Sequence, residues 1–157
     1  GGKILQVVQD VKTNTASYSG AAWQQISGWS KAITPIAAGS SFLVQWNLTV
    51  GNGRVFSSLF LDIDGAGYNE LTDYVGDSSG SRARTGAMAD DADSANIASG
   101  NILDTPAYSL TDVLTYDIRF MTHASATAYV NRTSADANNY YTARGASFVT
   151  ITEIAAD

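Results

Sequence analysis

The chain has 157 residues, a net charge of −6 and no cysteine, which excludes a disulfide scaffold, a zinc–thiolate centre and a cysteine nucleophile together. Its length predicts a single domain over 1–157. One histidine, His123, leaves no histidine-rich metal centre, and nine basic residues without a cluster give no footprint for a nucleic-acid backbone.

In chain order, Ile4 to Val11 reads as a first strand with both faces partly apolar. Trp23, Ile26 and Trp29 fall three apart in a stretch punctuated by Gly20 and Gly28, which favours a loop crossing the end of a sandwich over a helical turn. Lys31 to Ile36 reads as a short strand, and Pro35, lacking a donor, places it at an edge. Phe42 to Val50 is the clearest strand: Val44, Trp46, Leu48 and Val50 share one face, while Gln45, Asn47 and Thr49 share the other. Gly51-Asn52-Gly53 predicts a turn into a second strand, Val55 to Ile63. That strand sets Val55, Ser57, Leu59, Leu61 and Ile63 on one face. Phe56 and Phe60 lie on the other face, where they need cover, and a partner subunit is one candidate.

Asp64 to Gly67 closes that strand, and Tyr68 to Ala98 reads as loop, with a short strand near Arg84 to Met88 and another around Ile97 to Ile102. Leu114 to Met121 predicts a strand with Leu114, Tyr116, Ile118 and Phe120 inward and Thr115, Asp117 and Arg119 outward. Ala126 to Asn131 and Ala146 to Ile154 complete the set, the last strand expected beside the first. The expectation is all-β: an antiparallel two-sheet β-sandwich, jelly-roll-like, with about eight strands. No apolar run approaches the ~20 residues needed to cross a membrane, so no membrane insertion is expected.

Charged residues make up only 15% of the chain, against about 25% in ordinary domains. The polar surface therefore rests on Ser, Thr, Asn, Gln and Gly. Ten of the 15 acids fall between residues 60 and 112. Asp62, Asp64, Asp90, Asp91 and Asp93 among them are calcium candidates, set against a plain solvated acidic face; they do not follow the twelve-residue calcium-loop pattern. Catalysis needs positioned groups of suitable pKa. His123 stands at a strand end without a triad, and the paired acids sit at glycine turns, where aspartate caps its own backbone. No enzyme activity and no cofactor are expected. Asn47-Leu48-Thr49 and Asn131-Arg132-Thr133 match the N-glycosylation pattern. Trp23, Trp29, Tyr140 and Tyr141 are the candidate ligand contacts, because exposed aromatic faces suit sugar rings; packing over the sandwich end or a neighbour is the alternative for both tryptophans.

Several segments occur together in a familiar order. Gly2-Lys3-Ile4-Leu5-Gln6-Val7-Val8 opens the chain, and Trp23 to Trp29 runs into Ile33-Thr34-Pro35. Gly76-Asp77 precedes Gly80-Ser81-Arg82, and Asp104-Thr105-Pro106 precedes Thr115-Tyr116. Tyr129-Val130-Asn131-Arg132 then leads to Gly145 through Ile154. In that order the chain resembles a module of tailed-bacteriophage and marine-phage structural proteins, often found at the C-terminal end of tail-fibre or other virion-fibre proteins. It departs from the module at Ser40-Ser41, where a Ser-Lys pair is common, and at Asp62, where an Arg often precedes the Asp-Gly turn. The resemblance implies a non-catalytic, homotrimeric head on an upstream fibre or other virion protein. Such a head lies at the virion surface and contacts a host glycan or protein, and Phe56 and Phe60 fit its subunit contact. A capsid decoration or cement protein and a monomeric carbohydrate-binding module are the alternatives.

Overall fold

The structure, a computed structural model, describes residues 2–123, 126–140 and 142–157, with backbone only for 52–53 and 90–94. Its strands are β1 (Ile4–Lys12), β2 (Ala16–Ser19), β3 (Gln24–Gln25), β4 (Lys31–Ile33), β5 (Ser41–Ile63), β6 (Asn69–Glu70), β7 (Ala87–Asp104), β8 (Leu114–Thr122), β9 (Thr127–Val130) and β10 (Ser147–Ile154). Thr72–Tyr74 forms one 3-10 turn. The strands build two antiparallel sheets packed face to face. The first runs β1-β10-β5-β7, using residues 41–47 of β5; the second adds β8, with β3 and β4 beyond it, to residues 55–63 of β5.

Strands β5 and β7 belong to both sheets, so the ladder is continuous around one side of the sandwich. This corrects two expectations. Gly51-Asn52-Gly53 is no hairpin turn: β5 passes through it, and the register with β7 shifts there, Gly51 facing Ala95 but Gly53 facing Asp91. Glycine permits the local bend, and the irregularity flips side-chain parity as a bulge does. Even-numbered residues Phe42 to Val50 are therefore buried on one side of the bend, and odd-numbered Val55 to Leu61 on the other. The acidic, loop-like stretch before Ala98 is also strand. Residues 42–57 of β5 carry N–H and C=O groups along that edge, and pairing with β7 satisfies them whatever the side-chain propensity. Strand β2, too short for its alternation to stand out in the sequence, pairs with β9.

The core lies between the inner faces. Val44, Trp46, Leu48, Ala98 and Ile151 of the first sheet meet Val55, Leu59, Leu114, Ile118 and Phe120 of the second, and Ile26, Trp29 and Ile33 pack with them. The Trp46 indole N–H donates to Ser57 Oγ at 3.3 Å, joining the two halves of β5 across the core. Gly100 is the register partner of Trp46, and its missing Cβ makes room for the ring. Gly100→Ala should therefore cost about 1–3 kcal/mol by overpacking, read as a lower urea midpoint together with altered near-UV tryptophan ellipticity. Gly76→Ala is the control, since a methyl there meets nothing within 4 Å; it should leave the midpoint unchanged or slightly raised.

The first and last strands are neighbours, as expected: β1 pairs with β10 from Ile4↔Ile154 to Lys12↔Ser147, and Ala155 N–H donates to the Lys3 carbonyl at 2.9 Å.

Candidate functional site

The predicted aromatic contacts do not converge. Trp29 is 1% exposed and belongs to the core, so it cannot meet a ligand. Its spacing with Ile26 reflects a turn in which Trp29 N–H donates to the Ile26 carbonyl and both side chains drop between the sheets. Trp23 is half-buried and stands edge-on to Phe60, with ring centres 5.9 Å apart. Tyr140 is 92% exposed, in the loop between β9 and β10. Arg144 braces that loop by gripping Asp136 with two hydrogen bonds, at 3.0 and 2.8 Å. Tyr141 lies outside the described residues.

The acids are likewise dispersed. Asp62 accepts from Gly67 N–H at 2.8 Å and closes the turn after β5, where Asp64 adopts a left-handed φ of 52°. The side chains of Asp90, Asp91 and Asp93 lie outside the described residues. Among the described residues no group of three His, Cys, Asp or Glu side chains could hold a metal.

Around Phe60 the outer face of the second sheet is covered by the chain itself. Phe60 is only 7% exposed: Trp23 packs on it, and the Arg119 guanidinium sits 4.8 Å from its ring centre and 4.8 Å from that of Tyr68. The cover sought for Phe60 in a partner is thus internal. Asp117, expected outward in solvent, is fully buried beneath this layer and bonded to Arg119 Nε at 3.0 Å. Burial pushes its carboxyl up, and Arg119 offsets only part of that. Trp23→Ala should uncover Phe60 and Arg119, costing about 2–4 kcal/mol in a chemical melt. Past this layer, Phe56 pairs with Met88 and Met121 across β7, β5 and β8. Met88 is 64% exposed there.

The first sheet is different, because its outer face is open. Strand register sets its outward residues in rows: Val11, Phe148, Asn47 and Ser99 form one, and Gln9, Thr150, Gln45 and Asn101 the next. None of these eight positions carries a charge. Gln9 Nε2 donates to Thr150 Oγ1 at 2.8 Å. Between the rows lies a shallow concavity of about 410 Å³, lined by Gln45, Trp46, Asn47, Ser99, Gly100, Asn101, Phe148 and Thr150. Phe148, 38% exposed, forms its apolar lip. The polar alternation of Gln45, Asn47 and Thr49 was legible along β5, but Asn101 and Phe148 join it only once the register is known.

Asn131, one of the two glycosylation-pattern asparagines, is fully buried and uses its amide internally. No protein-family model matches the sequence, and no curated protein matches it. A chain in the structure of infectious bursal disease virus Gx strain aligns with a TM-score of 0.45 and 12% identity, over 95% of this chain and 38% of that one. This chain therefore spans well under half the length of that neighbour, and a likeness so distant transfers no role.

Proposed function

We propose that the chain is a non-catalytic head domain of a bacteriophage virion fibre, exposed at the virion surface, that attaches as a homotrimer to a host glycan or protein. The observation that carries this reading is the open, uncharged outer face of the first sheet, four strands wide, held rigid by the core behind it. The family resemblance of the separated sequence segments points the same way. Such a domain holds a contact surface in place and needs no reacting group.

The subunit contact is assigned to the Phe56–Met88–Met121 row, with Phe60 withdrawn from it because its own chain covers it. An exposed methionine beside an aromatic is a composition enriched at the centre of protein interfaces. Three linked copies multiply weak single-site contacts with a host surface.

Light scattering on a sizing column tests this. A mass of three chains is expected for the wild type, and Met88→Glu should shift it toward one chain while its far-UV circular dichroism stays that of the folded domain. A wild-type monomer at micromolar concentration would overturn the trimer and favour a monomeric carbohydrate-binding module. Binding to empty capsids, with none to host cells, would overturn the fibre reading in favour of a decoration protein.

A further inference from the structure

Resting on the attachment reading, we infer that the concavity on the outer face of the first sheet is a binding site for a neutral oligosaccharide lying across the strands. Neighbouring strands are about 4.8 Å apart, so a row across four of them extends about 14 Å, enough for a short run of linked sugar rings. The central row is Gln9, Thr150, Gln45 and Asn101. Each amide supplies both donors and an acceptor, and each hydroxyl does both, which matches sugar hydroxyls of the same dual character. Among the described residues, the side chains of Gln45, Asn47 and Asn101 have no protein partner, so they are available to a ligand.

Phe148 at the lip offers an apolar surface for the C–H face of a ring. Charge selects the class. The chain is net −6, and this face carries no cation to receive a carboxylate or sulfate, so an acidic polymer would be repelled without compensation. A neutral glycan meets neither penalty. The floor is fixed as well: Gly100 sits there against the Trp46 ring, with the row anchored on both sides by continuous strand pairing.

The test is affinity electrophoresis of the full chain through gels containing dextran, mannan or galactan, and through alginate as the acidic comparison. At least one neutral polymer should retard the wild type, alginate should not, and 0.5 M salt should leave the retardation unchanged, since no ion pair is involved. Gln45→Ala/Asn101→Ala should weaken binding by about thirtyfold, as two net hydrogen bonds of about 1 kcal/mol each imply. Its thermal midpoint should match the wild type, because both side chains are free of protein partners. Phe148→Ala should weaken binding further, with Phe148→Tyr retaining it.

Unchanged binding by the double variant would overturn this site while leaving glycan attachment elsewhere standing. No retardation by any neutral polymer, with the trimer intact, would overturn the ligand class and leave attachment to a host protein. Salt-sensitive retardation by alginate alone would overturn both the site and the charge argument.

Discussion

Asn131→Ala is expected to lower the free energy of unfolding by about 3–5 kcal/mol, read as a fall in urea midpoint at unchanged slope. The side chain is fully buried where four segments of chain meet. Its Nδ2 donates to the carbonyls of Lys12 at 2.8 Å and Asn14 at 3.0 Å, and its Oδ1 accepts from Ser147 Oγ at 2.7 Å. Its backbone receives Gly145 N–H and donates to Thr49. Alanine would strip the donor from the buried Lys12 carbonyl and from the less buried Asn14 carbonyl, and the acceptor from Ser147 Oγ, which keeps only Thr49 N–H; each buried loss costs about 1–3 kcal/mol before local relaxation. The backbone adds a further cost: Asn131 has φ 62°, a left-handed conformation that asparagine tolerates and alanine resists by about 1–2 kcal/mol. Asn131→Gly removes the same bonds without that strain, so it should lie about 1 kcal/mol above the alanine variant. An alanine variant within 1 kcal/mol of wild type would refute the hub.

The second large effect is at Glu153, a fully buried carboxylate ringed by hydrogen-bond donors. Ile36 N–H, Ala37 N–H and Ser40 Oγ reach Oε1, while Gln6 Nε2 reaches Oε2 at 2.6 Å. They fasten the segment after β4 onto β10. Burial pushes this carboxyl up, but the bonds from Gln6, Ile36, Ser40 and Ala37 outweigh it and hold the group below its ordinary value. Glutamine has the same shape but replaces one acceptor with an amino group aimed at donors. Glu153→Gln should therefore cost about 2–4 kcal/mol at neutral pH.

The sign of the pH dependence follows from the lowered value. The contribution is complete above the ordinary glutamate pKa of about 4.3 and is lost as pH falls through the lower native one. Asp104 and Asp117 act in the opposite direction, since burial raises both and the fold then holds a proton more readily than the open chain. The informative quantity is thus the difference between wild type and Glu153→Gln, which should be flat above pH 5 and shrink below it. A difference that grows on acidification would show that the carboxylate is not the stabilising form.

Most of the fold was legible because its strands alternate cleanly. The inward sets of β5 and β8 follow from period two alone, and the β1–β10 pairing follows from strands at both ends of the sequence. What alternation cannot see is what lies on top of an outward residue. Asp117 points outward in pattern, yet Arg119 and its flanking aromatics cover it. Glu153 and Asn131 have polar side chains that become interior only because distant segments bring donors and carbonyls to them. Composition likewise hid β7, since its pairing is dictated by the exposed edge of β5 rather than by its own residues. The candidate site was legible to the extent of Gln45 and Asn47. The remainder required register, which no single strand carries.

The pairing of β1 with β10 also fixes how the domain answers to force. A load applied between Lys3 and Ala155 pulls across the ladder, so the bonds from Ile4↔Ile154 to Lys12↔Ser147 part in succession, like a zipper. A load between Lys3 and a ligand held on the open face runs along β1 instead. The ladder is then sheared, and its bonds share the strain and yield together. A domain tethered at its N-terminal side and gripped on that face is mechanically strong in that direction, although the same strand is easily peeled from its own end.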